Sequence, residues 1–538
     1  MSGGEGSPVA VVTGGGAGIG AAVAEELGRT GWSVVTMDPL VSLDGSERLP
    51  EPEETTAGRI VAAGGTARAS SVSVTDAGAV RDEIDRIVKE DGRLDAVVNV
   101  AGISRPSGFA SGTEDDWRNV LAVHLNGYRN ILDAALPVMA DAGRGRILGV
   151  TSGSGWRPAD AGAYSCAKRA VASLTWQLGA VAPPGVSVNA MSPIAVTRMV
   201  TAALARAGGG GSTSASGGLS LGSMPEPDQL GPLAAHLVSD AFGWCRGQVI
   251  FAGGVEAALV ERPRLLEVVR AAPDAALAQI LEVVGPAAFV AAEAAQASGG
   301  GTNPRFQHAF DAPPPVSSSA VSSCAVVTDR PDVGAAITSA LEGRGVKCQL
   351  VSAEATSFDA AAVAIQRIDP VDAVVVALAG GAPATGAASD WQRILAEHDG
   401  IAEQLFADAS WARAVADLSA NSGRPMRLVT LTDATTAGGR SRAQAMAQLA
   451  RVGRGATEGR VAAFAISVEG SSAIGPAAEL AAHLVCHRDA AALAGAELAA
   501  GDGWLGLRSH PRPAASFILG GAQVPEWFTR LAQEIVTP

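Results

Sequence analysis

The sequence predicts two doubly wound α/β domains in tandem, each a parallel sheet covered by helices on both faces. Short, largely apolar runs at residues 9–12, 34–37, 94–98 and 147–150 alternate with stretches of good helix formers. Strands that are apolar throughout belong to sheets buried on both sides. The first run passes directly into Thr13-Gly-Gly-Gly-Ala-Gly-Ile-Gly20 and then into a helix former. Pieces of the first half also return, in the same order, in the second. Ala325-Val-Val-Thr328 repeats Ala10-Val-Val-Thr13, and Val371-Asp-Ala-Val-Val375 repeats Leu94-Asp-Ala-Val-Val98. Asp390-Trp391 with His398 repeats Asp116-Trp117 with His124, and the Ala-Ala-His-Leu-Val of 234–238 stands again at 481–485. Residues 517–521 resemble 250–254. Shared order across separate pieces is the mark of an internal duplication.

A chain of 538 residues exceeds what one core supports. The boundaries read as residues 1–260 for a first domain and 261–319 for a helical extension and a Pro/Ser/Gly linker, with 320–538 for a second domain. Residues 256–297 are expected to be helical and 298–319 to be the linker itself. Apolar residues make up 47% and charged residues 17%, a globular balance. The net charge of −14 comes without a basic stripe, which argues against a nucleic-acid partner. No apolar run approaches the roughly 18 residues of a membrane span. The first eight residues lack the basic-then-apolar order of a secretory signal. The five cysteines are scattered without metal-ligand or disulfide spacing, so no metal site is expected and a reducing, cytoplasmic location is.

Taken in order, the run at 9–12 is a strand, the glycine stretch a turn, and residues 21–29 a helix. That succession lets backbone approach a pyrophosphate at a helix N-terminus, with Gly14, Gly18 and Gly20 supplying the tight turn, the close approach and the helix–strand contact. The strand at 34–37 ends in Asp38. A carboxylate there can accept both adenosine-ribose hydroxyls and repels a 2′-phosphate, favouring NAD over NADP. A polar insertion follows at 39–54, then a helix at 55–63, a third strand at 71–74, and a helix at 77–89 capped by Asp76. The strand at 94–98 leads into Asn99-Val-Ala-Gly102. Residues 113–139 form a long helical region that holds Trp117, His124 and Asn126. His124 has no acid or serine in sequence reach and reads as a packing or surface residue. A sixth strand at 186–190 ends in Ser192-Pro193-Ile194, with Thr197 beyond. Residues 199–224, with Gly208-Gly-Gly-Gly211, have the composition of a mobile lid. A helix at 227–239 and a strand at 248–254 close the first half.

The residues that carry chemistry lie in Tyr164-Ser-Cys-Ala-Lys168. A tyrosine and a lysine four apart share a helix face. An ammonium beside the phenol is expected to lower its pKa and make it a proton donor or acceptor near neutrality. Ser152 stands upstream, at the end of the strand at 147–150, with Ser154 as a rival for the same place. The strand-end register favours Ser152.

Residues 8–255 resemble the short-chain dehydrogenase/reductase family, single-domain Rossmann enzymes, through TGGGAGIG, Asp38, NVAG (99–102), Asn126, Ser152, YSCAK and the run at 188–193. The resemblance implies a Ser152-Tyr164-Lys168-Asn126 tetrad: Tyr164 as acid/base, Ser152 on the substrate oxygen, Lys168 on the nicotinamide ribose, and Asn126 holding a relay water. It also implies NAD contacts at Gly14, Gly18, Ile19, Gly20, Asp38, Val74, Asn99, Ala101, Gly102, Tyr164, Lys168, Pro193 and Thr197. The chain departs from the family at Val100, where a second Asn is usual, at Ser73 in place of an adenine-capping Asp, and at Ile194 in place of Gly. The implied activity is interconversion of a secondary alcohol and a ketone. The insertion after Asp38 resembles dehydrogenase parts of multifunctional β-oxidation enzymes and hydroxysteroid dehydrogenases, which points to a lipophilic hydroxyacyl or steroid-like small molecule. A non-enzymatic NAD-binding scaffold is the alternative.

In the second half Thr328 is followed by Asp329-Arg-Pro-Asp332 where the glycines would be. Gly400 stands for Asn126, the Ser152 position falls near Asp433, and no tyrosine follows Tyr164. Residues 320–538 therefore read as a non-catalytic copy. Such a copy could take the place of a neighbouring subunit, so that a homodimer would mimic a tetramer. Contact is expected through residues 394–405 and 517–519.

Overall fold

The computed structural model of the chain describes residues 6–206, 224–270, 277–289, 321–354, 357–368, 370–521 and 523–536. The central stretch of the expected lid and the whole of the expected linker lie outside them. In the first half the elements run β1 (Val9–Thr13), α1 (Gly18–Arg29), β2 (Ser33–Met37), α2 (Thr56–Ala62), β3 (Thr66–Ser70), α3 (Ala77–Asp91), β4 (Ala96–Asn99), α4 (Glu114–Leu121), α5 (Gly127–Ala142), β5 (Gly145–Val150), α6 (Ala163–Val181), β6 (Val186–Pro193), α7 (Arg198–Arg206), α8 (Gly231–Leu237) and β7 (Val249–Ala252). Then come β8 (Glu256–Glu261), β9 (Leu265–Arg270) and α9 (Leu277–Ala288). The second half comprises β10 (Ser323–Thr328), α10 (Pro331–Glu342), β11 (Lys347–Ser352), α11 (Phe358–Gln366), β12 (Ala373–Ala377), α12 (Asp390–Glu397), α13 (Ile401–Ser422), β13 (Met426–Asp433), α14 (Ala437–Ala456), β14 (Val461–Val468), α15 (Ile474–Cys486), β15 (Glu497–Gly501), β16 (Trp504–Arg508), β17 (Arg512–Ile518) and α16 (Glu526–Val536).

These make two mostly parallel sheets of the Rossmann-like α/β type. The first has the order β17-β8-β7-β6-β5-β4-β1-β2-β3 and the second β11-β10-β12-β13-β14-β15-β16-β9. In the first sheet β1, β2, β4, β5, β6 and β7 are almost wholly buried, as strands of a sheet covered on both faces are. The strand order reverses between β1 and β4, and the ligand crevice of such a sheet opens at that point, beyond the strand C-termini. In the second sheet the reversal falls between β10 and β12.

Three strands depart from the sequence reading, because their place in the sheets decides where the local sequence does not. The third strand is Thr66–Ser70, not 71–74. It begins right after Gly64-Gly65 and lies at the sheet edge, where polar and half-exposed side chains are tolerated, so it has no apolar signature. Residues 256–270 are strands, not helices. Ala, Leu and Glu give them helix propensity, but β8 pairs antiparallel to β7, and pairing overrides a preference worth less than ~1 kcal/mol per residue.

The sheet ends also revise the internal repeat. By its place beside β14, the counterpart of β7 is β15, not residues 517–521. β8 then matches β16, and β9 matches β17, with Arg262-Pro-Arg264 answering His510-Pro-Arg512. The third strand of each meander crosses over. β17 pairs antiparallel with β8 in the first sheet, and β9 pairs antiparallel with β16 in the second. The following helices cross with them. On α16, Phe528 stacks on Phe242 at 6.0 Å and meets Phe517 edge-on at 5.2 Å. His236 Nε2 lies 2.8 Å from Thr529 Oγ1. On α9, Leu281 is buried in the core beneath α15. The two halves thus exchange arms, each closing the other's sheet.

Between the sheets one continuous core unites the halves. Tyr128, Val171 and Leu174 of α5 and α6 share it with Trp411, Ala445 and Met446 of α13 and α14. The contact expected at 394–405 is present, although Gly400, with φ 71°, breaks that stretch into α12 and α13. Ile394, Leu395, Ile401 and Leu405 are buried in this core, and Arg129 donates to Leu395 O and pairs with Asp399 at 3.2 Å. Phe517 is buried against the first half, as expected for residues 517–519. Among the described residues, no helix is long and apolar enough to cross a membrane, and no cluster of His, Cys, Asp and Glu could hold a metal ion.

Candidate active site

The glycine turn is shaped by what surrounds it. A Cβ on Gly20 would lie 2.1 Å from Gly14 O, and one on Gly14 would lie 2.9 Å from the Ala101 backbone, so neither position admits a side chain. Gly18, at φ 56°, faces open space with only Thr197 at 4.0 Å. The N-terminus of α1 has no side-chain cap and no acid in its first turn, which leaves its N–H groups free for an anion. Ile19 packs on the core behind the turn. A dinucleotide's pyrophosphate fits these residues.

Around that turn, Thr13 Oγ1 donates to Asn99 Oδ1 at 2.9 Å and accepts from Ala101 N at 3.1 Å, tying the C-terminus of β4 to β1. Gly102 abuts His124, 2.5 Å from where a Cβ would sit. Asp38 accepts from Gly16 N at 2.9 Å and Leu40 N at 2.8 Å, which aims its carboxylate at the turn. Val74 is buried, its carbonyl held by Asn130 Nδ2 at 2.9 Å. Pro193 ends β6, and Thr197 caps α7 by accepting from Val200 N at 3.2 Å. Gly14, Asp38, Asn99 and Pro193 thus follow or close β1, β2, β4 and β6 at their C-terminal ends.

Three of the expected tetrad positions, Ser152, Tyr164 and Lys168, lie close together. Ser152 follows the end of β5, with its hydroxyl facing the Tyr164 phenol closely enough to lower that group's pKa. Ser154 instead turns its carbonyl to Gln448 Nε2 of the second half, at 2.9 Å. Lys168 sits one turn after Tyr164, with Nζ 5.6 Å from the centre of the tyrosine ring. Asn126 ends a π turn (Ala122–Asn126), in which Gly127 N–H bonds back to Ala122 O. Such bulges in a helix frequently mark functional sites. His124, in the same turn, is buried, held by Ile103 O at 2.8 Å, and packs edge-on against the Tyr164 ring at 4.8 Å. Burial lowers its pKa to about 3, so it is a neutral packing residue, as its sequence context suggests.

The electrostatics correct one expectation. Lys168 does not lower the Tyr164 pKa. Burial raises the phenol's pKa, and the Ser152 hydrogen bond offsets part of the rise. Lys168 donates to Val150 O at 2.6 Å, and its own burial lowers its pKa to about 7. A lysine committed to a carbonyl and half discharged at neutrality is a weak field source for the tyrosine.

Sequence reasoning missed the supports of this site. Trp156 Nε1 donates to Ser192 Oγ at 3.1 Å and packs edge-on against Phe251. Arg169, next to Lys168 and fully buried, pairs with Glu497 at 2.7 Å and Gln444 at 2.8 Å, both from the second half. No local pattern announces a partner some three hundred residues away.

The matching region of the second half is filled. Arg330 reaches Asp433 at 3.5 Å across the β10–β12 reversal, beside a cavity of only about 10 Å³. Arg442, the sixth residue of α14 as Lys168 is of α6, forks onto Asp408 at 2.6 and 2.8 Å. The second residue, matching Tyr164, is Gly438, where a Cβ would lie 1.8 Å from Glu397 O.

Residues 8–207 match the family model of the short chain dehydrogenases. The chain is 32% identical over 251 residues to the short-chain reductase protein NovJ of Streptomyces niveus, covering 46% of this chain and 92% of that protein. It is 30% identical to the oxidoreductase UcpA of Escherichia coli K12 over 46% of this chain and 93% of that one. It is also 34% identical over 193 residues to the peroxisomal hydratase-dehydrogenase-epimerase of Saccharomyces cerevisiae, covering 36% of this chain and 21% of that protein. Among solved structures, a short chain dehydrogenase from Mycobacterium avium gives a TM-score of 0.43 at 30% identity, covering 52% of this chain and 93% of that one. Through its first half, the chain belongs to the short-chain dehydrogenase/reductase family of oxidoreductases.

Proposed function

We propose that the first half interconverts a secondary alcohol and a ketone with NAD(H), using Tyr164 to move the proton. The observation that carries this reading is the assembly of Ser152, Tyr164 and Lys168 at the mouth of the glycine-turn crevice. When bound, the nicotinamide supplies or takes the hydride at the carbinol carbon. In the reductive direction Tyr164, held protonated by its burial, gives its proton to the carbonyl oxygen while Ser152 hydrogen-bonds the same oxygen. Lys168 would bind the nicotinamide ribose, and Asn126 would hold the water through which Tyr164 is reprotonated. Asp38 would accept from the adenosine ribose, which favours NAD over NADP.

The second half, with Arg330, Asp433 and Arg442 filling its crevice, serves as a non-catalytic partner domain. Because it packs on α5 and α6 from within the same chain, one chain stands for a dimer and two chains would mimic a tetramer. The cysteines among the described residues are free thiols, which supports a reducing, cytoplasmic setting. The likeness to the yeast hydratase-dehydrogenase-epimerase supports dehydrogenase activity, and the insertion after Asp38 favours a lipophilic hydroxyacyl or steroid-like substrate. Turnover of purified chain with NAD(H) across hydroxyacyl thioesters, steroids and small secondary alcohols, with their ketones, tests the reading. NAD binding without turnover of any panel member would favour a scaffold instead.

A further inference from the structure

The segment joining Ser152 to Tyr164 is held from both halves of the chain: Ser107, Phe109 and Ser192 of the first half bond Ala161 O, Asp160 and Trp156, and α14 of the second half takes three of its carbonyls. It carries Gly153 and Gly155, so it has little stiffness of its own. Its backbone carbonyls point at α14. Gln448 Nε2 donates to Ser154 O at 2.9 Å and to Arg157 O at 2.8 Å, and Arg451 Nη1 donates to Trp156 O at 2.8 Å. Gln444, Gln448 and Arg451 stand at i, i+4 and i+7, one face of one helix. They interrupt a run otherwise supplied by Ala443, Ala445, Ala447 and Ala450, and Gln448 is fully buried. A helix that only covered apolar surface would need no polar side chain on that face. Buried donors aimed at loop carbonyls fix a conformation, because a buried carbonyl left unpaired is costly. Gln444 and Glu497 meanwhile grip Arg169, the residue after Lys168, whose Nη1 reaches Gly155 O at 3.4 Å.

We infer that Gln448 and Arg451 of the second half are positioning residues for the active site of the first, holding the 152–162 loop so that the Ser152 hydroxyl meets the Tyr164 phenol. This rests on the proposed role of Tyr164. The second half then does more than bury apolar surface: it sets the geometry of the proton-transfer pair.

The test uses the full chain. Tyr128 and Tyr164 are the only tyrosines, so in a Tyr128→Phe background near-ultraviolet tyrosinate absorbance reports Tyr164 alone. Ser152 from the loop, His124 from the π turn and Lys168 from its own helix face that phenol, and only Ser152 is carried by the loop. Gln448→Met and Arg451→Met should move the titration midpoint upward, because the hydrogen bond that lowers the phenol's pKa is loosened. They should also lower kcat about 10- to 100-fold, the scale of a misplacement near 1 Å. NAD affinity should stay within about twofold, since the glycine turn is untouched. Arg451→Lys, which keeps a donor, should restore both readouts. Folded Gln448→Met and Arg451→Met chains that titrate and turn over like their parent would overturn the inference. Tyr164→Phe, measured alongside, separates the two claims: if it retains turnover, the proposed chemistry fails whatever the Gln448 variants do.

Discussion

Replacing Phe528 by alanine should destabilise the first half, although the residue lies at the far end of the chain. Phe528 is 1% exposed, stacked on Phe242 and set edge-on to Phe517. Truncating a phenylalanine in such a site costs about 3–5 kcal/mol, the lost transfer energy plus the cavity left behind. Its neighbour Trp527 is 39% exposed on the same helix, so Trp527→Ala should change stability by less than about 0.5 kcal/mol. Both variants keep the helix and differ only in whether the ring docks on α8 and β17. The midpoint of urea unfolding for the two variants and the parent reads the contrast directly. Equal, small effects would mean that α16 does not dock on the first half and that the arm exchange is wrong.

Further outcomes follow from the same structure. Burial holds His124, His398 and His483 at about 3, 4 and 3, well below the ~6.5 of an unfolded histidine. The unfolded chain therefore binds more protons between those values, so stability is fully present above about pH 6.5 and falls as the pH drops below it. Urea midpoints that do not fall between pH 7 and 5 would contradict these three environments. Asp38→Ser should weaken NAD and improve NADP binding, and a parent that already binds NADP more tightly than NAD would refute the assignment. Calorimetric titration with NAD should give one site per chain, because Arg330, Asp433 and Arg442 occupy the second crevice; two sites would show that crevice to be open.

Much of this was legible because the relevant signals are local. A glycine turn between an apolar strand and a helix, a carboxylate ending the next strand, and Tyr-x-x-x-Lys after a strand-end serine are each set by a few adjacent residues. The misreadings arose where distant contacts decide. Residues 256–270 have helix-forming composition, yet they are strands because β7 and β16 offer them edges. Residues 517–521 resemble the last strand of the first half, but the strand they end, 512–518, crosses to the other sheet. The Tyr164 pKa was misjudged because spacing along a helix says that Lys168 is near, but not that it is buried and turned to Val150 O. The grip of Gln448 and Arg451 on the Ser152–Tyr164 loop joins residues some three hundred positions apart, and nothing at either end marks it.

The most direct measurement of the central claim is steady-state turnover of Tyr164→Phe beside its affinity for NAD. The substitution removes one hydroxyl and leaves the glycine turn, Asp38 and Lys168 in place. General acid–base catalysis contributes roughly 100- to 10,000-fold, so turnover should fall by at least that lower bound while NAD binding is nearly unchanged. A phenylalanine variant that keeps more than about a tenth of parental turnover would contradict Tyr164 as the proton-transfer residue.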